Sequence, residues 1–361
     1  ARARQPAASV ALAAGWRAGK MKKLLNTLYV TTQGAYLRQE GETVVVSIDR
    51  ADVLRLPIHT LSGIVCFGQV ACSPPLLGLC GERGVHVSFL TERGKFLARV
   101  TGPVSGNVLL RREQVRRADK PEVALEIARS FVLGKLANSR TVLQRAQRDH
   151  DVGPSVAKAV DALADVIRRT RRAADIDTLR GLEGEGAGSY FEVFDRMVVS
   201  QSDAFSMQKG RSRRPPLDPL NALLSFLYTI LAHDCEAALE GVGLDPQIGF
   251  LHALRPGRPS LALDLMEGFR SILADRVALS LINLNQINGK GFTVTESGAV
   301  MMDDETRKTV LQAWQKKKQE TIQHPFLNEK VEIGLLPHAQ ALLLARHLRG
   351  DLDGYPPFLL K

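Results

Sequence analysis

The sequence predicts an α+β protein in which a small, β-sandwich-like N-terminal domain with one short helix precedes a larger, mostly α-helical domain. Three observations support this prediction. From Leu25 to about Pro103, short runs rich in β-branched residues alternate with turn signals, as expected of strands. From Pro121 onwards, apolar residues recur every three or four positions, as expected of helices. A length of 361 residues and a hydrophobic fraction of 45% are sufficient for two cores.

The N-terminal region contains seven strand patterns, namely NTLYVTT, GAYLRQ, ETVVVSID, DVLRLPI, GIVCFG, VHVSFLT and KFLARV. A short helix is predicted between them, with Ser73 as N-cap, Pro74 at the first position and an end near Gly84. We assign residues 21–105 to this β domain. Residues 1–20 hold four basic and no acidic residues and are expected to be an extension that precedes a natural start at Met21.

The remainder of the chain is predicted to be helical. Residues 106–120 are interpreted as a basic linker, 121–350 as the helical catalytic domain and 351–361 as an irregular tail. Within that domain, long helices are predicted from Pro121 to about Arg148 and from Pro154 to about Arg172. Another begins after Asp218 as N-cap with Pro219 at its first position, and it is expected to be too short and too polar at its end to cross a membrane. Helices over 303–318 and 337–348 and a small hairpin at Ser297-Gly298 complete the prediction.

The charge of the chain indicates a polyanionic partner. The formal net charge is +10, and the excess is clustered, which favours nucleic acid over a membrane surface. The four cysteines lack CxxC spacing, which argues against a disulfide framework, a zinc site or an iron–sulfur site and favours a reducing cytoplasm. The basic clusters are Arg111, Arg112, Arg116 and Arg117; Arg168, Arg169, Arg171 and Arg172; Lys209, Arg211, Arg213 and Arg214; and Lys316 to Lys318.

The candidate site is centred on the stretch GFLHALRPGRPSLALDLMEGFR, residues 249–270. It contains His252, then a basic turn that carries Arg255 and Arg258, and then Asp264 and Glu267. The spacing of Asp264 and Glu267 places both carboxylates on one helical face. Two unpaired negative charges on an apolar segment would be costly to bury, so either an arginine of the turn or a metal ion must neutralise them. One histidine with several carboxylates suits Mg²⁺ or Mn²⁺ better than zinc, and these ions commonly serve phosphoryl chemistry.

A second candidate is Glu183, which lies among Gly181, Gly184, Gly186 and Gly188. Glycine costs roughly 1 kcal/mol per position in a helix, so this density indicates the close approach of a neighbouring backbone or a ligand. The alternative is a glycine-rich turn between two helices.

Four stretches carry a resemblance to a known family: MKKLLNTLYVTT from Met21, LRGLEGEGAGSYF around Glu183, RRPPLDPLNALLSFLY from Arg213, and GFLHALRPGRPSLALDLMEGFR. Together they resemble the CRISPR-associated spacer-acquisition integrase family, with ESGAVMMDDETRKTVLQAWQ most similar to subtype I-C. The resemblance implies a homodimer formed largely through the β domains. It also implies that Glu183, His252 and Glu267 are metal ligands and that Asp264 is an accessory catalytic carboxylate.

The reaction implied by the resemblance joins the 3′-hydroxyl of a short foreign DNA fragment to the repeat of a CRISPR array by transesterification. Its implied partners are a small ferredoxin-like CRISPR-associated companion protein that bridges two dimers and often an iron–sulfur exonuclease; its implied location is a prokaryotic cytoplasm. A branched-DNA repair nuclease and a non-catalytic DNA-binding scaffold remain as alternatives. The candidate DNA-contacting arginines are Arg168, Arg169, Arg172, Arg211, Arg213, Arg214, Arg255, Arg258 and Arg270.

Overall fold

The computed structural model describes residues 10–11, 27–61, 63–91, 96–100, 102, 108–207 and 210–360. The chain divides into two compact units, one of Ala1–Ser105 with Asp303–Gln319 and one of Gly106–Met302 with Glu320–Lys361. The first is rich in strands and the second in helices, so the predicted α+β class is confirmed.

The first unit contains two sheets. One has the strand order β1-β2-β6-β8-β9, in which β2, β6 and β8 are parallel neighbours, and the other has the order β5-β4-β3-β7. Leu28, Val44 and Ile64 are among the residues of their shared core, and all three are almost completely buried. The strands are β1 (Val10–Ala11), β2 (Thr27–Val30), β3 (Tyr36–Glu40), β4 (Thr43–Ile48), β5 (Ala51–Pro57), β6 (Gly63–Phe67), β7 (Ala71–Cys72), β8 (His86–Leu90) and β9 (Phe96–Val100).

The helix predicted within the β region is α1 (Pro74–Glu82). The Ser73 hydroxyl accepts a hydrogen bond of 3.3 Å from the backbone N–H of Leu76, and Pro74 occupies the first turn, so the predicted start is confirmed. The short helix therefore follows directly from local capping chemistry.

The second unit contains α2 (Val108–Ala118), α3 (Pro121–Asp149), α4 (Pro154–Thr170), α5 (Ile176–Glu192), α6 (Pro219–Gly241), α7 (Ser260–Glu267), α8 (Arg276–Asn283) and α10 (Leu336–Arg349). A π-helical segment, Arg270–Asp275, lies between α7 and α8. The predicted hairpin is present as β10 (Phe292–Val294) and β11 (Val300–Met302). A second hairpin, β12 (Thr321–His324) with β13 (Glu329–Glu332), was not predicted.

The helix α9 (Asp304–Gln319) groups with the first unit, although the sequence placed it in the catalytic domain. Its Val310, Leu311 and Trp314 side chains are fully buried, and the Arg307 guanidinium lies 6.0 Å from the centroid of the Phe67 ring. Apolar periodicity identifies a helix but not the surface that it covers. The predicted domain, 121–350, is therefore interrupted in the structure.

The predicted basic linker, 106–120, is wrong in part because α2 occupies most of it. Leu110 and Gln114 are buried on one side of this helix, while arginines occupy other positions. The tail after Gly350 is irregular, as expected, but Tyr355 and Phe358 are buried. Asn138 anchors this tail: its side-chain amide donates to the Phe358 carbonyl at 2.9 Å and its oxygen accepts from the N–H of Leu360 at 2.8 Å.

The helix α6 is long and apolar enough to span a membrane, with a mean hydropathy of 1.3 in its most apolar window, so the expectation that it is too short was wrong. However, 61% of that window is buried inside the protein, which identifies α6 as a core helix. Its predicted N-cap is confirmed, since the Asp218 carboxylate accepts a 2.7 Å hydrogen bond from the N–H of Asn221.

Candidate active site

Asp264 organises the loop that carries His252. Its Oδ2 accepts hydrogen bonds from the backbone N–H groups of Phe250 (2.6 Å) and Leu251 (3.0 Å), and its Oδ1 accepts one from the N–H of His252 (2.9 Å). Oδ1 also lies 2.6 Å from Nδ1 of the His252 ring. Because the side chain is fully buried and both oxygens are engaged, Asp264 positions His252 instead of pairing with an arginine.

Glu267 lies one helical turn beyond Asp264, on the same face of α7, as the spacing predicted. Its Oε1 is 3.9 Å from Nε2 of His252 and 2.9 Å from Nη2 of Arg270. Burial acts to raise the pKa of Glu267, but the positive charges of Arg270 and Lys135 outweigh it and hold that pKa below its usual range. Glu267 is therefore a buried carboxylate that stays ionised.

Glu183 lies in the middle of α5, and its carboxylate approaches the same place from another helix. Its Oε1 pairs with the ammonium of Lys135 on α3, and the same ammonium lies 2.7 Å from Oε2 of Glu267. The Lys135 side chain is only 11% exposed. Glu183 and Glu267, which are 84 positions apart in sequence, thus converge on one buried cation.

The glycines around Glu183 belong to a continuous helix, so the interpretation as a glycine-rich turn is wrong. A Cβ at Gly186 would clash with the Leu136 side chain of α3, whereas the positions of Gly184 and Gly188 have no described neighbour within 4 Å. Gly186 therefore permits the close approach of α3 and α5, which brings Lys135 to Glu183. A close approach is therefore present at this one glycine, but the neighbour is the Leu136 side chain and not the expected backbone or ligand.

Two further side chains hold the loop between α6 and α7, which carries His252. Gln114 of α2, fully buried, donates from its amide to the carbonyls of Asp245 and Ile248, each at 2.8 Å, and accepts from the N–H of Asp245 at 2.9 Å. Arg180 of α5 donates from Nε to the carbonyl of Leu251 at 2.8 Å. Sequence analysis missed both residues and Lys135. Gln114 carried the one available signal, a polar residue on the apolar side of a helical pattern.

An aromatic and cationic layer lies behind Glu267. The Arg270 and Arg211 guanidinium groups lie 4.9 and 5.3 Å from the centroid of the Tyr228 ring. The hydroxyls of Tyr228 and Tyr190 donate to the two oxygens of Asp275, at 2.7 and 3.0 Å. Burial raises the pKa of Asp275 to about 6, although both tyrosine hydroxyls act to lower it. The π-helical segment carries both Arg270 and Asp275 to this layer, and such segments often occur at functional sites.

The predicted DNA-contacting arginines differ in their exposure and in whether they pair with a carboxylate. Arg270 and Arg211 are mostly buried, and Arg211 donates to Asn221 Oδ1 at 2.6 Å, so their contact with DNA stays a prediction. Arg168 pairs with Asp165 at 2.8 Å, and Arg169 pairs with both Asp165 and Glu185. The remaining members, Arg172, Arg213, Arg214 and Arg255, are exposed, and Arg258 is half-buried.

The basic turn forms a positive cluster next to His252. Burial lowers the pKa of Arg258, and the nearby charges of Arg255, Arg180 and Arg213 lower it further while Asp264 acts in the opposite direction. Guanidinium groups stay charged at any ordinary pH, so their mutual repulsion persists and is offset only in part by Asp264 and by the 2.9 Å pairing of Arg180 with Asp177. This cluster fits phosphate groups.

The donor set suits a hard divalent cation. Two carboxylates and one imidazole are ligands that such ions accept, and a cation, the Lys135 ammonium, already lies between the two carboxylates. Within the part of the chain that the structure describes, however, no three His, Cys, Asp or Glu side chains lie close enough to form a ready metal site. The residues therefore fit a metal only if Lys135 moves away.

Comparison with known proteins gives strong similarities over most of the chain. Residues 28–316 match the family model described as CRISPR associated protein Cas1. A CRISPR-associated endonuclease Cas1 of Chlorobaculum tepidum is 56% identical over 342 residues, which cover 94% of this chain and 99% of that protein. One of Rhodospirillum rubrum is 52% identical and covers 94% and 100% of the two chains. A Cas4 exonuclease/Cas1 endonuclease fusion of Geobacter sulfurreducens is 35% identical, over 92% of this chain and 60% of the fusion.

Solved structures share the fold. A casposase bound to integration product superimposes with a TM-score of 0.78 at 23% identity, over 94% of each chain. A chain of a Cas6-RT-Cas1–Cas2 complex gives a TM-score of 0.79 at 22% identity, over 95% of this chain and 37% of that one. Taken with the family match and with relatives that are more than half identical over nearly their whole length, these observations show that the chain belongs to the CRISPR-associated Cas1 family.

Proposed function

We propose that this Cas1-family endonuclease is a metal-dependent DNA integrase of CRISPR adaptation. It joins the 3′-hydroxyl ends of short foreign DNA fragments to the CRISPR repeat by transesterification. The observation that carries the proposal is the convergence of Glu183, Glu267 and His252 beside the arginine cluster of the basic turn. Carboxylates for a metal and guanidinium groups for phosphates are the two components that phosphodiester transfer requires.

Glu183, His252 and Glu267 are the proposed ligands of Mg²⁺ or Mn²⁺. When bound, such an ion supplies charge neutralisation at the scissile phosphate. The Asp264 carboxylate accepts a hydrogen bond from Nδ1–H of His252, because an ionised carboxylate has no proton to donate, and this leaves the Nε2 lone pair directed to the side of Glu267. The role of Asp264 is therefore to fix the tautomer and the orientation of His252.

Phosphate groups of the DNA are proposed to bind Arg255, Arg258 and Arg213, whose charges lie close to one another. Arg214 and Arg172 extend the exposed basic surface. By contrast, Arg168 and Arg169 would first have to give up Asp165 and Glu185. Binding through the basic turn places the backbone of the DNA beside His252.

The proposed partners are foreign and repeat DNA, a second copy of the chain bound through the β domain, and a small ferredoxin-like companion protein that bridges two dimers. An iron–sulfur exonuclease that trims the fragment is a further proposed partner. The similarity to a Cas4/Cas1 fusion and to a chain of a Cas1–Cas2 complex supports such assemblies.

The test is a strand-transfer assay with a labelled 3′-hydroxyl duplex, a supercoiled plasmid carrying the repeat, Mn²⁺ and the companion protein. We expect joined product from the wild-type chain, none from Glu183→Gln, and near-normal product from the matched control Glu185→Gln, which changes an exposed carboxylate of the same helix. A duplex with a dideoxy 3′ end should give no product. Nicking without joining would support a repair nuclease instead, and DNA binding with neither reaction would support a scaffold.

A further inference from the structure

Lys135 is the one side chain that contacts both proposed carboxylate ligands in the described part of the chain. Its ammonium pairs with Oε1 of Glu183 and lies 2.7 Å from Oε2 of Glu267. It comes from α3, a helix to which the sequence assigned no functional residue. A lysine so nearly shielded from solvent is seldom found without a partner, and here it has two.

The charges in this place are balanced without a metal. Glu183 and Glu267 bring two negative charges, and Lys135 and Arg270 bring two positive ones. A divalent ion held by the same carboxylate oxygens would lie within a few ångströms of the ammonium. Such a separation between like charges is strongly unfavourable in a buried site. Metal and ammonium therefore compete for Glu183 and Glu267.

The ammonium has an alternative place close by. A small cavity, with about 20 Å³ of room for water-sized groups, borders Lys135 and is also lined by Ser139, Tyr190, Tyr228, Arg270 and Asp275. The two tyrosine hydroxyls that donate to the Asp275 carboxylate are neutral, and the Arg211 and Arg270 guanidinium groups favour its ionised form only in part, since burial still raises its pKa to about 6. A further cation beside Asp275 is therefore still favourable. Lysine has a flexible four-carbon stem, so its ammonium can change partners while the backbone of α3 stays in place.

We propose that Lys135 is a built-in counter-cation of the metal site, which neutralises Glu183 and Glu267 in the metal-free protein and moves into the cavity lined by Asp275 when a divalent ion binds. This inference rests on the proposed ligand set. It assigns to Lys135 two functions: it stabilises the metal-free site, and it sets the affinity for the ion.

The experiment is a Mn²⁺ titration of the full chain, with free ion counted by electron paramagnetic resonance, together with melting temperatures without metal. Lys135→Met keeps the length and apolar body of the side chain and removes its charge. If the ammonium occupies the site most of the time, its loss should lower the Kd for Mn²⁺ about tenfold or more. The melting temperature without metal should fall, and Mn²⁺ should restore it. Lys158→Met, an exposed lysine of α4, is the control and should change neither quantity.

A second pair of variants tests the destination of the ammonium. Asp275→Asn should weaken Mn²⁺ binding when Lys135 is present, because the released ammonium then loses its carboxylate neighbour. In the Lys135→Met background the same substitution should have no effect on the Kd. Equal effects in both backgrounds would overturn the movement toward Asp275.

The remaining outcomes separate the inference from the proposed function. If Glu183→Gln and Glu267→Gln abolish Mn²⁺ binding but Lys135→Met leaves it unchanged or weaker, the ligand set stands and the counter-cation role is wrong. If Mn²⁺ binding is indifferent to both glutamates, the proposed metal site itself is wrong. Should Lys135→Met fail to fold even with Mn²⁺, Lys135→Gln, which keeps a polar group, is measured in the same way, with the same criteria.

Discussion

At the residue scale, Asp264 is the side chain whose role differs most from its sequence pattern. The spacing to Glu267 suggested two equivalent carboxylates, yet Asp264 accepts hydrogen bonds from three backbone N–H groups and from the His252 ring. Asp264→Asn should therefore lower both Mn²⁺ affinity and strand transfer by about 10- to 100-fold, because the amide cannot accept all these protons and the ring loses its orientation. Isothermal titration and the joining assay measure the two effects.

The matched control is Asp203→Asn, which removes an exposed carboxylate outside the site. It should leave Mn²⁺ affinity unchanged. Wild-type affinity in Asp264→Asn would contradict the role that we assign to the Asp264 carboxylate.

Asp275 gives a pH-dependent prediction. Its pKa is about 6 in the folded protein and 3.8 as a free side chain, so the folded state binds its proton more tightly. The ionised carboxylate then reduces the free energy of unfolding by on the order of 3 kcal/mol above pH 6, and this loss vanishes below about pH 4. Asp275→Asn should thus gain stability relative to the wild type as the pH rises from 4 to 7.

Urea unfolding of both proteins at pH 4, 5, 6 and 7 measures this difference. The part of the difference in the free energy of unfolding that is the same at every pH reflects lost hydrogen bonds. Both tyrosine hydroxyls donate to Asp275, but an asparagine amide has only one acceptor oxygen. A difference that is independent of pH would show that the pKa of Asp275 is not raised.

The residues of the site were only partly predictable from the sequence. His252, Asp264 and Glu267 lie within 16 positions of one another, so helical spacing and a turn were enough to group them. Lys135 could not be found in this way, because it reaches Glu183 through tertiary packing and lies in an ordinary helical pattern. The partner of a buried carboxylate is decided by helix packing, which leaves no local signal.

At the scale of secondary structure, the glycines of α5 offer a matched pair. Gly186→Ala should destabilise the protein by about 1 to 3 kcal/mol, because its methyl group would displace the buried Leu136 side chain. Gly188→Ala lies on the open side of the same helix and should stabilise it by up to about 1 kcal/mol. Chemical denaturation of the two variants gives both values, and equal effects would exclude a special role for Gly186.

Helix starts were predictable where capping chemistry is local, as Asp218 and Ser73 show. The helix α2 was missed because its arginines dominate the composition of 106–120, and they concealed Leu110 and Gln114. The tail after Gly350 has no periodicity, so its irregularity was predictable but its burial was not. That burial depends on Asn138, which lies far away in the sequence.

At the scale of the whole molecule, the net charge of +10 predicts binding that weakens with salt. Arg255→Ala and Arg213→Ala should each reduce the slope of log Kd against log salt concentration by about 0.9, the value for one phosphate contact. Arg168→Ala should change the slope less, because its guanidinium already pairs with Asp165. Fluorescence anisotropy of a labelled duplex over a salt series measures these slopes. A larger change for Arg168→Ala than for Arg255→Ala and Arg213→Ala would show that the DNA does not bind at the basic turn.

The α+β class followed from the change between strand and helix periodicity, and the two units of the structure differ in the same way. The assignment of α9 did not follow, because a helix so far downstream of the strands shows nothing in its own sequence about which unit it joins. Sequence patterns thus predict whether a unit is made of strands or helices, but the order of the elements along the chain does not predict which unit each element joins.

The π-helical segment between α7 and α8 also has a genetic consequence. A π-helical turn contains one residue more than an α-helical turn, so removing a single codon within 270–275 could restore a regular helix. A π-helical turn takes up its extra residue without rotating the helix that follows, so such a deletion would preserve both the helical content and the faces of the residues on either side. Arg270 and Asp275 would become four positions apart in an α-helix if the lost residue lay between them, and positions four apart share a helical face. An in-frame loss of one of residues 271–274 should therefore be better tolerated than the loss of one residue from the middle of α6, which is a regular helix.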